Sequence, residues 1–297
     1  IGYAGLGAAE DFVMDGGSKG RPDSLEVIES YLLGITSLLQ EHTSDIYLLQ
    51  EVDLHARRSY HVNQVKTIHD VLGDAYAYHF AYNFKSIFVP FPVSFTDYIG
   101  GVESGLMMLS NREITSAKRL QFPGEFAWPL RVANLKRAMT VSRMPILGSE
   151  KELVVVNLHM SAYDSDGSMR NAEMQFLKEF LLMEQALDNY VVVGGDFNQT
   201  FPEAHDVYPV LDESFYMAYP IETDFLPVGF SFAVDITKPT CRLLNQPYSP
   251  EDPSTQYYII DGFIVSSNIT VERIETVDHG FLYSDHNPVL LEIRLNP

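Results

Sequence analysis

Apolar residues recur at helical spacing after Pro22 and Asp23: Leu25, Ile28, Leu32, Ile35 and Leu39 lie three or four positions apart. Pro22 and Asp23, with Glu26 three residues after Asp23, form a helix start. The run Asp45-Ile46-Tyr47-Leu48-Leu49-Gln50 is short, apolar and polar-ended, and predicts a buried strand. Similar runs predict strands over Gly105–Ser110, Ala138–Met144, Leu153–Leu158, Tyr190–Gly194, Ile259–Val265 and Val289–Ile293. A second helix is predicted from about Met169 to Leu187, with Phe176, Phe180, Met183 and Leu187 on its apolar face. β-Branched runs flanked by amphipathic helices imply sheets covered by helices. Between residues 76 and 144 strands follow one another without helices, which favours mixed or antiparallel sheets over a doubly wound one. Residues 201–257 are rich in Pro, Tyr and Phe and lack periodicity. They read as long loops around a site.

Composition narrows the picture. The chain has 297 residues, no internal repeat and no linker-like stretch, so residues 1–297 read as a single domain. No run of 18 apolar residues appears, so no transmembrane segment is expected. The single Cys241 excludes an intrachain disulfide and a cysteine-based zinc site. Forty acidic against twenty basic residues give a formal charge of −20. Such a surface repels a phosphate backbone and disfavours a general nucleic-acid binder, although a locally positive or metal-bearing site still admits such a substrate. The chain opens Ile1-Gly2-Tyr3, without an initiator Met or a signal-peptide pattern. This leaves room for an upstream export signal or membrane anchor, which would make the chain an extracytoplasmic domain.

Candidate chemistry concentrates at strand ends. Glu51 directly follows the apolar strand that ends in Leu49-Gln50; it is either a solvated loop carboxylate or a ligand for a hard cation such as Mg²⁺. His159 closes Val156-Asn157-Leu158 and is either a satisfied structural histidine or a phosphate contact or proton donor. In Gly194-Gly195-Asp196-Phe197-Asn198, the glycines permit close backbone approach. There Asp196 suits water activation and Asn198 a phosphate contact, unless the pair only makes a turn. Asp285 and His286 precede the stiff Pro288 and point in different directions, which suits a metal and a phosphate. Asp261 is acidic in an apolar strand, and such a charge needs a partner, for which a histidine is the natural choice.

Two weaker patterns are set aside. Gly229-Phe230-Ser231-Phe232-Ala233 lacks the strand–helix context of a nucleophile elbow. His55 and His61 lie six apart, the wrong spacing for a helical zinc pair. The aromatic stretch from Tyr76 to Phe95 reads as a stacking platform for bases, an apolar lip for a lipid substrate, or core and inter-strand packing.

Together, Leu49-Gln50-Glu51, Asn157-Leu158-His159, Gly194-Gly195-Asp196-Phe197-Asn198, Ile260-Asp261 and Ser284-Asp285-His286 resemble the motifs of the endonuclease/exonuclease/phosphatase superfamily, the deoxyribonuclease I-like fold. Each piece is weak, but they stand in the family's order. The resemblance implies an α/β fold, a four-layer α/β/β/α sandwich of two packed mixed sheets flanked by helices. It also implies Mg²⁺-dependent phosphoester hydrolysis, with Mn²⁺ as a substitute ion. By that resemblance Glu51 is the principal metal ligand and Asp285 an auxiliary one. Asp196 orients or deprotonates the attacking water, and Asn198 contacts the phosphate. His286 faces the scissile phosphate with Asp261 fixing its tautomer. His159 stands near the phosphate or leaving group, and Arg170 adds a positive substrate contact. The family usually carries a metal-site Asn at the end of its first strand. No Asn precedes Asn63 here, so the resemblance places one immediately upstream of Ile1, on a central strand. The net charge favours a small-molecule, nucleotide or lipid phosphoester. The alternatives are a DNA or RNA nuclease and, less favoured by the intact set, a catalytically dead binding module.

Overall fold

The computed structural model describes residues 1–124, 137–164 and 167–297. Helix α1 (Leu25–Glu41) buries Ile28, Leu32 and Ile35 of the stripe predicted from spacing, while Leu39 is half-buried and Leu25, at the helix's first position, is exposed. Strand β1 (Ile46–Ala56) begins where the apolar run does but continues six residues past Gln50. The short helix α2 (Gln64–Leu72) is capped by Asn63, whose side chain accepts from the Lys66 amide. Strands β2 (Ala77–Val89) and β3 (Gly100–Ser110) complete an antiparallel sheet ordered β1-β3-β2. Ile28, Leu32, Ile35, Val65 and Ile68 of the two helices pack on one face of it, against Leu49, Met107 and Leu109.

The second sheet holds six strands. β4 (Ser116–Gln121), β5 (Ala138–Pro145) and β6 (Glu152–His159) run antiparallel. Helix α3 (Ser168–Ala186) then crosses over to β7 (Tyr190–Asp196), parallel to β6, as a helical crossover allows. β8 (Phe230–Ala233) and β11 (Asp261–Ser266) finish the order β4-β5-β6-β7-β11-β8. Between them lie two-residue strands β9 (Cys241–Arg242) and β10 (Tyr257–Tyr258); the rest of 201–257 is largely irregular, as its lack of periodicity predicts. A hairpin of β12 (Ile269–Thr276) and β13 (Val289–Leu295) packs Val271, Leu291 and Ile293 against Val192 and Val265. Met108 of β3 meets Met144 and Val155 between the sheets. Helices lie outside and two packed sheets within, which is the four-layer α/β/β/α sandwich; only the larger sheet is mixed, through β6 and β7, whereas the smaller is wholly antiparallel and so departs from the expected pair of mixed sheets.

The buried face of α3 departs from its predicted stripe. Met183 and Leu187 are exposed, at 60% and 62%, while Met174, Leu177, Phe180 and Leu181 are buried. The inward face also carries Arg170, Glu173 and Glu184. Each is satisfied there: Glu173 by Ser161, Glu184 by Asn189 and Arg143, Arg170 by Asp164. Buried polar groups with partners cost little, so hydrophobicity alone pointed to the wrong face.

A cavity of about 1540 Å³ opens between the two sheets. It is lined by β1 from Ile46 to Glu51 and by β13, strands that each pair on one edge only. Ile1 and Gly2 also line it, and the Ile1 amino group donates to the Gln50 carbonyl at 3.0 Å.

Candidate active site

Register places the site. Across adjacent strands of the larger sheet, Ala138 of β5 lies opposite His159 of β6, His159 beside Asp196 of β7, and Asp196 opposite Asp261 of β11. Three polar residues from separate parts of the chain thus form one row at a sheet end. Gly195 makes the row possible. Its φ is +144°, and a Cβ there would stand 2.0 Å from the Leu158 carbonyl oxygen. β1 brings Glu51 from the other sheet. Its ladder shifts register between Leu49 and Val52, and Glu51 has φ +54°. A bulge of this kind re-aims a side chain, and Glu51 lines the cavity together with Asp196, Asp261 and His286.

Asp261 Oδ2 lies 2.8 Å from His286 Nδ1. That bond holds the ring and leaves Nε2 4.0 Å from Asp196 Oδ2 and 3.8 Å from Asp285 Oδ2. Burial opposes a charge on His286. The carboxylates of Asp261 and Asp285 outweigh it and raise its pKa well above the ordinary histidine value. His159 is the opposite case: burial, helped by Arg137 and His286, keeps it neutral. Its Nε2 stands 3.3 Å from Asp196 Oδ2, while its buried Nδ1 has no partner. Burial and the nearby Asp261 push Asp196 above the ordinary carboxylate range, although His286 works against the shift. Asp196 Oδ1 also accepts the Asn198 amide at 2.8 Å. Asn198 itself has φ +51° and is tied by its side chain to the Met160 carbonyl and to Tyr216.

Of the residues the sequence singled out, the structure brings His159, Asp196, Asn198, Asp261, Asp285 and His286 together, with Glu51 on the same cavity. Arg170 is elsewhere engaged. Its Nη1 donates to the Asp164 carbonyl at 2.6 Å and its guanidinium covers Tyr219 at 4.5 Å. Arg137, buried just before β5, acts on both His159 and Asp196, with Arg58 a smaller influence on His159, and its Nε has no partner among the described residues. Only its place next to a strand start signalled it. Asp15 was also missed: it is buried and accepts from Tyr163 and from the Leu244 amide at 3.2 Å.

Among the described residues, two groups have ligand atoms within 4.8 Å of one another: Cys241, Asp285 and His286, and Asp196, Asp261 and His286. Both use His286, whose Nδ1 already faces Asp261. The Cys241 thiol is pushed to about 12 by burial and stays protonated at neutral pH. Soft or nitrogen ligands are therefore poor candidates. Asp285 fits better. Burial and the charge of Glu51 both raise its pKa, a repulsion that a divalent cation would relieve, and an all-oxygen carboxylate set suits a hard ion.

The fold recurs in solved structures. An endonuclease/exonuclease/phosphatase from Beutenbergia cavernae DSM 12333 matches with a TM-score of 0.65 and 14% identity, covering 96% of this chain and 70% of that one. The human Nocturnin catalytic domain with bound sulfate gives 0.57 and 16% over 90% and 87%. A Bacteroides vulgatus endonuclease/exonuclease/phosphatase gives 0.57 and 20% over 92% and 94%. Comparison with curated protein sequences yields no match. The sequence profile of the Endonuclease/Exonuclease/phosphatase family matches residues 25–286, most of the chain and every motif of the site. The chain belongs to the endonuclease/exonuclease/phosphatase family.

Proposed function

We propose that the protein is a metal-dependent phosphoester hydrolase. The row His159–Asp196–Asp261, completed by His286 over Asp261, carries this reading. On this reading the base Asp196 and the imidazolium of His286, whose Nε2 lies 4.0 Å from Asp196 Oδ2, act together on one phosphate. Asp196, shifted upward and held by the Asn198 amide, orients a water and takes its proton. His286 Nε2, kept pointing outward by Asp261, donates to a phosphate oxygen. His159 stays neutral and fixes the second carboxylate oxygen of Asp196. The buried Arg137 supplies positive charge on the same side.

Glu51 and Asp285 would hold the divalent ion, with Mg²⁺ the best fit and Mn²⁺ a substitute. When bound, such an ion neutralises charge on the phosphoryl oxygens. The acidic surface favours a small-molecule, nucleotide or lipid phosphoester over duplex nucleic acid. Hydrolysis of bis-nitrophenyl phosphate, plasmid DNA, sphingomyelin and inositol phosphates, each with Mg²⁺ and with chelator, tests the reading. Chelator-sensitive hydrolysis in the panel is expected. Full activity in chelator, or none on any substrate, overturns it.

A further inference from the structure

Residues 86–96 contain no charged side chain, in a chain where one residue in five is charged. They form the end of β2 and the loop after it. The structure does not use this segment as core. Phe95, Val93 and Ile87 are 102%, 96% and 92% exposed, and Phe88 and Phe91 are largely exposed as well. Nor is the segment loose at its base. The Ile99 amide donates to the Phe91 carbonyl at 2.9 Å, and the Thr96 and Asp97 amides donate to the Ser94 hydroxyl. The Gly20 amide donates to Asp97 at 2.9 Å. Arg57 donates to the Thr96 and Tyr98 carbonyls and lies 3.6 Å over the Tyr98 ring. The loop is built to hold apolar tips in water.

We infer that this loop docks the enzyme on a lipid surface, and that the substrate is a phosphoester in the headgroup layer of that surface. Charge selects the partner. The body is strongly acidic, so an anionic bilayer repels most of it. Around the loop base the balance shifts, with three cations against the two carboxylates Asp97 and Glu103. Arg57 sits under the loop, Arg21 flanks the Gly20 that holds it, and Lys85 immediately precedes it. Lys85 is paired with Glu103, whereas neither guanidinium is paired with a carboxylate among the described residues. Apolar tips above a cationic collar match acyl chains beneath anionic headgroups. The position also matches the site. β1 runs on past Glu51 to Ala56, which faces Val102 on β3, and Val102 faces Ser86 at the start of the loop. Glu51 is the midpoint of β1, and the five residues from it to Ala56 span about 17 Å, which sets the distance along the strand between the loop and the site.

The substrate half rests on the hydrolase reading; the docking half does not, so the two are measured apart. Binding is read by co-sedimentation with vesicles of phosphatidylcholine alone and with 30% phosphatidylserine (an anionic fraction of about this size suffices). Wild type is expected to bind, more tightly with phosphatidylserine. Exposed-site changes Ile87→Asn, Val93→Asn and Phe95→Asn together should cut partitioning by about 100-fold or more, from three apolar side chains left out of hydrocarbon. Thermal unfolding and turnover of bis-nitrophenyl phosphate should stay unchanged, and turnover of a vesicle-borne phospholipid should fall with binding. No vesicle binding by wild type, or equal binding by the triple variant, overturns docking. So does a wild-type dimer in sedimentation velocity that the triple variant abolishes, because the patch would then cover a second copy. Vesicle binding with hydrolysis of the soluble ester alone overturns only the lipid substrate. Loss of all hydrolysis with binding retained counts against the hydrolase reading instead.

Discussion

Asp261 and His286 are held at 2.8 Å, and their separation of 25 residues shows that only the fold joins them. Replacing the carboxylate by an amide keeps the shape but removes the charge that fixes the ring. Asp261→Asn should leave the melting temperature near wild type and lower turnover by roughly 10² or more, by analogy with other orienting carboxylates. Wild-type turnover in the folded variant would take the pair out of the mechanism. Glu51→Gln keeps the bulge but removes a charge, so the Mg²⁺ concentration for half-maximal activity should rise at least about tenfold. An unshifted Mg²⁺ titration would move the ion elsewhere. Asp15 offers a test independent of turnover. Burial raises its pKa from 3.8 to about 6, although Tyr163 and the Leu244 amide stabilise the carboxylate. Between those values the native state holds more proton than the unfolded chain. Its contribution to stability therefore falls as pH rises through that window, by about 3 kcal/mol in all, and stays low above it. Urea unfolding of Asp15→Asn from pH 4 to 7 should show a flatter decline than wild type; an identical slope would show the carboxyl is not the cause.

At the scale of elements, legibility followed the physics of burial. Strand ends were readable because a carboxylate or histidine there breaks an apolar run, as His159, Asp196 and Asp261 do; Glu51 breaks one too, but at a bulge in the middle of β1. Arg137 was not readable, because its neighbours come from β6, β7 and β1 and only register assembles them. β1 was drawn too short, since the pattern stops at Gln50 while the strand continues through a bulge. The second helix was placed correctly along the chain but turned about its axis, because Glu173 and Glu184 face inward with partners. That rotation is checkable by mutation. Leu177 is fully buried, so Leu177→Ala should cost about 2–5 kcal/mol. Met183→Ala should change stability by less than about 0.5 kcal/mol, as exposed substitutions do. The reverse order in urea titrations would restore the face read from hydrophobicity.

For the whole molecule, a charge of −20 sets how it meets a polyanion. Without metal, no measurable binding to duplex DNA is expected at moderate salt. Submicromolar, salt-sensitive binding would instead promote a nuclease role. The cavity between β1 and β13 has a different consequence, for binding rather than chemistry. Each of these strands offers one unpaired edge to an apolar-walled slot. Open edges recruit extended backbone from whatever is nearby. The slot is therefore a receptor for a strand: a short synthetic peptide of alternating apolar residues, supplied in trans, should raise the melting temperature in a dose-dependent way, and an unchanged melting temperature would show that these edges take no strand.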